Sequence, residues 1–233
     1  MDRKGLKAYK ATLQMPQELL GILTGTLLGD AWVMKNTTGY NAAWEHENSQ
    51  KQYTEYKMHL LYPLCMRTEA MYLPRINGWR GGTLVHPMFE DLRNKFYPLN
   101  KKVVTEEILN YLNAPGLACW YMDDGWAQST SYMIATSGFT LDEHHIIRKF
   151  LREKFGLYTN ICPCELKTSR ISSFGHPKVN RIIYNLYIVR KSVQRFEELI
   201  GPYICPSMEY KFRRYLQNPQ RLYAEIVQQS IIR

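Results

Sequence analysis

Two short stretches of this chain ask for the same unusual local structure. Residues 23–31 read Leu-Thr-Gly-Thr-Leu-Leu-Gly-Asp-Ala, and residues 117–125 read Leu-Ala-Cys-Trp-Tyr-Met-Asp-Asp-Gly. Each is an apolar, small-residue helix that closes on an aspartate, Asp30 in the first and Asp124 in the second, 94 positions later. A carboxylate at a helix C-terminus meets the partial negative charge already there. Repeated at matching places, the violation points to a site with a compensating partner. Gly21, Gly25 and Gly29 add a bare stripe at i, i+4 and i+8. Each glycine costs about 1 kcal/mol in a helix interior relative to alanine. Close approach of a second helix is the usual compensation, and Ala114, Ala118 or Cys119, and Asp123 form the expected facing stripe. Helices packed side by side and parallel would release Asp30 and Asp124 together. Two such carboxylates repel unless a hard cation lies between them, and Mg²⁺ is suited to oxygen ligands of this kind.

The rest of the chain follows one itinerary twice. In the first part, a helix over residues 16–30 precedes strands near 32–36 and 41–47, then a helix near 51–62. Strands near 72–76 and 82–86 flank the Asn77-Gly78 turn signal, and a helix near 88–96 follows. In the second part, a helix over 115–124 precedes strands within 127–137. Thr140 with Glu143 is a capping-box signature for a helix to about Phe155. Strands near 159–167 and 181–189 and a helix over 192–200 complete it, stopped by Gly201-Pro202. The expected organisation is residues 1–100 and 115–233 as two fused halves, joined by a connection over 101–114 with a helix near 106–112.

Lys and Arg number 30 against 21 Asp and Glu, a net charge of +9, which favours a polyanionic partner. The five cysteines include no C-x-x-C pair and no zinc spacing, and their odd number favours a reducing compartment. The longest apolar run, residues 19–28, is about half of a membrane span. No apolar core follows the N-terminal charges, so the expected location is intracellular and without membrane.

The stretches LTGTLLGDA and LACWYMDDG resemble the two LAGLIDADG helices of the single-chain homing endonuclease family. Residues 201–211, Gly-Pro-Tyr-Ile-Cys-Pro-Ser-Met-Glu-Tyr-Lys, resemble the C-terminal P-Y-x-x-P-x-M-x-Y-K segment of members of the omega-intron type from yeast mitochondria. Asn100-Lys101-Lys102 before Asn110-Tyr-Leu112 resembles their inter-domain stretch. The resemblance implies an α+β fold of two pseudo-symmetric αββαββα halves, each with a curved antiparallel sheet, forming a saddle over DNA. It implies hydrolysis of both strands of a long asymmetric double-stranded target across the minor groove, leaving 3′ overhangs. Mg²⁺, with Mn²⁺ as a substitute, would be held by Asp30 and Asp124, assisted by backbone carbonyls at Gly29 and Asp123. Lys102 and Lys211 align with the family's active-site basic residues, with Lys101 as the rival at the first position. Such proteins are often encoded within organellar introns, so a mitochondrial or chloroplast origin is expected. Both motifs in one chain imply a monomer.

A β-ribbon fits the major groove and offers alternate side chains to base edges. The candidate DNA-binding residues of the first half are Trp32, Lys35, Asn36, Tyr40, Arg75 and Arg80, with Trp44, His46 and Asn77 in the wider set. Those of the second are Gln128, Tyr132, Lys167, Arg170, Arg181 and Asn185, with Ser131 and Tyr187 in the wider set. About half of these are expected to touch DNA. The main alternative is a maturase that binds intron RNA with the same fold, or a protein that does both. A non-catalytic regulator would have lost the acids, and a zinc-and-histidine nuclease lacks its ligands here.

Overall fold

The first paired helix forms because residues 17–28 are apolar nearly all round, and it is buried accordingly from Leu19 to Leu28 except Leu20. The computed structural model describes residues 2–35, 42–166 and 181–212. Their order is α1 (Arg3–Thr12), α2 (Gln17–Leu28), β1 (Trp32–Lys35), β2 (Ala42–Asn48), α3 (Lys51–Leu60), β3 (Met71–Leu73), β4 (Gly78–Gly82) and α4 (Met88–Phe96). After α5 (Glu106–Tyr111) the pattern recurs as α6 (Ala114–Asp124), β5 (Gly125–Ala127), β6 (Tyr132–Ala135), α7 (Leu141–Phe155), β7 (Thr159–Leu166), β8 (Arg181–Ile188) and α8 (Val193–Ile200). Both sheets are antiparallel with the same strand order, β1-β2-β4-β3 and β5-β6-β8-β7. This is the αββαββα pattern twice, as the resemblance implied.

The local signals that held are chemical. Thr140 and Glu143 form the reciprocal capping box at the start of α7, and Gly156 ends that helix in the left-handed conformation (φ 71°). Asn113 caps α6 by accepting the Gly116 N–H. The strand expected at residues 82–86 lies instead at Gly78–Gly82. Asn77, left-handed at φ 47°, turns the chain immediately before it, so Asn77-Gly78 starts the strand. Beyond Gly82, His86 makes only an isolated bridge to Ala42. Helix α1 was not expected. It begins at Asp2, whose carboxylate accepts the Gly5 N–H, and contributes no buried residue.

Helices α2 and α6 run through the centre of a single hydrophobic core. An added Cβ at Gly21 would meet Asn113, one at Gly25 the Gly116 carbonyl oxygen at 1.8 Å, and one at Gly29 the Asp123 carboxylate. The contacts advance in the same direction along both helices, which are therefore parallel. Asp123 faces the stripe as expected. Asn113 and Gly116 take the positions that had been expected for Ala114, Ala118 or Cys119, because only a glycine lets the two backbones touch. No helix among the described residues is long and apolar enough to cross a membrane.

Candidate active site at the paired helix ends

Asp30 and Asp124 reach the same place by different local routes. Helix α6 is helical through Asp124, whereas α2 ends at Leu28 and a non-helical Gly29 (φ −89°, ψ −135°) carries the chain to Asp30. Two hydrogen bonds fix this link. The Ala31 N–H donates to the Thr26 carbonyl at 3.0 Å, and the Asp30 N–H donates to Oδ2 of Asp123 at 3.2 Å.

A lysine stands at the carbonyl end of each helix. Lys102 Nζ donates to the carbonyl oxygens of Gly29 (2.9 Å) and Ala31 (3.4 Å). Lys211 Nζ donates to those of Met122 (2.6 Å) and Asp123 (2.8 Å). Each ammonium satisfies carbonyls that the helix leaves open and offsets the negative end of its dipole. Burial pulls both below the usual lysine range, while Asp30, Asp123 and Asp124 oppose the shift. Lys101, the rival for the first position, is exposed.

With the lysines on carbonyls, no hydrogen bond and no ion pair within 4 Å joins the Asp30 or Asp124 carboxylate to any described residue. Burial pushes the Asp124 carboxyl up to about 7, helped by the charges of Asp30 and Asp123 and opposed by the two lysines. Asp30 is raised too, by burial first and then by Asp123. Two carboxylates without a hydrogen-bonded or ion-paired partner among the described residues, beside the main-chain carbonyls of Gly29 and Asp123, make an all-oxygen donor set. Among the described residues no three His, Cys, Asp or Glu side chains form a ready cage. That combination fits Mg²⁺, which takes one or two carboxylates and keeps water or substrate phosphate in the remaining positions.

The third carboxylate, Asp123, is used differently. Its oxygens accept from Lys57 Nζ at 2.6 and 2.8 Å and from the Tyr53 hydroxyl at 2.8 Å. Both partners of the ion pair are wholly buried. His46 lies 3.3 Å from Lys57 Nζ through Nδ1, between the rings of Trp44 and Tyr53. Burial, then the Lys57 charge, hold it well below the usual histidine range. Sequence reasoning singled out neither Lys57 nor Tyr53 for the site. The available signal was a lysine four residues after Tyr53, inside the apolar stripe of α3.

Strand parity and burial sort the candidate DNA-binding residues. Val33 is buried under the helices, so Trp32 faces outward on the first sheet with Glu45 opposite it. Arg80 pairs with Glu47 on the same outward face, and Arg75 reaches Glu47 from the adjoining turn. Gln128 is exposed at the turn between β5 and β6. Asn185 shares the outward parity of Tyr187, although its Oδ1 accepts the Thr136 N–H. Four expectations are corrected by burial. Tyr132 is in the core, its hydroxyl donating to Glu197. Trp44, with its indole N–H on Thr26, and His46 are equally buried, and Ser131 is 1% exposed. Lys35 shares the parity of Val33 but is exposed at the end of β1, beside Glu90 and Arg93 of α4. Asn36, Tyr40, Lys167 and Arg170 lie outside the described residues, as does the Arg181 side chain.

Residues 20–196 match the sequence pattern of the LAGLIDADG DNA endonuclease family. A probable intron-encoded endonuclease of Wickerhamomyces canadensis is 29% identical over 227 residues, 90% of each chain. The cytochrome b mRNA maturase bI2 of Debaryomyces hansenii is 29% identical over 213 residues, covering 87% of this chain and 76% of the maturase. Among solved structures, the homing endonuclease I-WcaI bound to its DNA recognition sequence shares the fold, with a TM-score of 0.69. That match is 24% identical and covers 90% of this chain and 92% of the other.

Proposed function

This chain belongs to the LAGLIDADG DNA endonuclease family, and from that membership we propose that it is a site-specific intron-homing endonuclease. In this reading it hydrolyses both strands of a long, asymmetric double-stranded target across the minor groove and leaves 3′ overhangs. The observation that carries the proposal is the pair of carboxylates at parallel helix ends, Asp30 exposed and Asp124 half-buried, with no hydrogen-bond or ion-pair partner among the described residues and a lysine on the main-chain carbonyls beside each. Asp30 and Asp124 would hold Mg²⁺, or Mn²⁺ in its place, with the carbonyls of Gly29 and Asp123. Ions so held lower the barrier to attack by water and offset charge on the leaving oxygen. Lys102 and Lys211, anchored on the neighbouring carbonyls, keep positive charge beside the scissile phosphates.

Trp32, Arg75, Arg80, Gln128 and Asn185 are the described candidates for DNA contact. Residues 1–100 and 115–233, joined by 101–114, would each supply half of the surface. Unequal halves in one chain favour a monomer that reads an asymmetric site. The intron-encoded relative supports an organellar, intron-encoded origin. A second activity, binding and folding intron RNA, is favoured by the likeness to the bI2 maturase.

The test is cleavage of a randomised duplex library with Mg²⁺ by the protein and by its Asp30→Asn and Asp124→Asn forms. Sequence-specific breaks with 3′ overhangs are expected, reduced by about 10²-fold or more in either variant. An intact library, with tight binding of a structured intron RNA, would replace the endonuclease reading by the maturase one.

A further inference from the structure

The two acids are not held alike. Asp124 is the last residue of α6, so the helix places it. Asp30 lies beyond the end of α2, and its own N–H is held by a side chain from the other half of the molecule, Oδ2 of Asp123. Asp123 can reach it because position 29 is glycine: a Cβ there would stand 2.3 Å from that same oxygen. Lys57 Nζ and the Tyr53 hydroxyl fix the Asp123 carboxylate from beneath. Among the described residues nothing equivalent serves the other acid, since Gly29, the counterpart of Asp123, has no side chain to return the contact. A charged pair wholly out of water is a poor source of stability, because the desolvation of both ions opposes their attraction. Its geometry, by contrast, is strongly directional.

We propose that the buried Lys57–Asp123 pair is a positioning device for Asp30, and that it makes the two halves of the active site unequal. The second statement rests on the endonuclease reading; the first does not. Neither residue is a candidate to touch the scissile phosphate through its side chain. Their effect passes through the main chain at Asp30.

The experiment uses two double variants, each removing both charges so that no unpaired ion is left buried. Lys57→Met/Asp123→Leu deletes the acceptor for the Asp30 N–H, and Lys57→Met/Asp123→Asn keeps an amide oxygen there. Hydrogen exchange at residues 29–31 and strand-resolved cleavage are read on both, with thermal melting to establish that each is folded. The leucine form is expected to lose protection at Asp30 and to change the ratio of the two strands' cleavage rates by about 10-fold or more, since a 1 Å misplacement can cost about 10²-fold. The asparagine form should restore both. Unchanged protection in a folded leucine form would overturn the positioning role. Lost protection with an unchanged strand ratio would overturn the inequality. If the unaltered protein cuts no DNA, the endonuclease reading fails and the exchange measurement still decides the positioning role.

Discussion

Single side chains at this site carry opposite pH dependences. His46 is held neutral by burial and by Lys57, so its depressed folded-state value gives a contribution that is complete above the ordinary histidine range and is lost as pH falls below it. Asp124, raised to about 7, acts in the other sense. Its contribution is complete below the ordinary carboxylate range and is lost as pH rises through about 7. A comparison of metal-free protein with its His46→Gln form separates the two. The unaltered protein should lose up to about 1.4 kcal/mol more per pH unit than the variant between pH 6.5 and 5, as read by urea unfolding at each pH. Equal slopes would mean that His46 is protonated in the folded state.

At the scale of elements, the glycine stripe decides how the two halves meet. Alanine at Gly25 gains about 1 kcal/mol of helix propensity. Its Cβ would also sit 1.8 Å from a backbone oxygen of α6, and the backbone of a packed helix has nowhere to move. Overpacking of this kind costs about 3 kcal/mol or more, so Gly25→Ala should be strongly destabilising in thermal or urea melts. Gly138 supplies the control. Nothing lies within 4 Å of an added Cβ there, and Gly138→Ala should change stability by less than about 0.5 kcal/mol. Helix α2 and its stripe were legible from glycine spacing alone. Of the partner stripe only Asp123 was, because Pro115-Gly116 reads locally as a helix start, while in three dimensions Gly116 is the closest point of contact.

For the molecule as a whole, the net charge of +9 and two outward sheet faces in one chain set the expected binding behaviour. If six to ten phosphates are neutralised, affinity for duplex DNA should fall by about 10³-fold or more between 50 and 200 mM salt. Fluorescence anisotropy across that range, with sedimentation to establish a one-to-one complex, tests both the electrostatics and the monomer. A shallow salt dependence would mean that the sheets contribute few phosphate contacts. Glu45 and Glu47 lie on the same face as Arg80 and pair with it, so the count of basic residues alone overstates the free positive charge there.

Some features of this protein were decided by local sequence and others by the assembled fold. Helix ends, caps, the doubled acidic motif and the repeated αββαββα order depend on residues near each other along the chain. Their chemistry can be read where it is written: Thr140 with Glu143, Gly156, Asp30 and Asp124. The choice between Lys101 and Lys102, the burial of Tyr132, Trp44 and His46, and the displacement of β4 depend on which face of an element meets another. A one-residue change of parity reverses that face. The Lys57–Asp123 pair lay furthest from view. A lysine in an apolar stripe is stabilised only by a partner 66 positions away, and the packing of α2 against α6 is what brings that partner within reach.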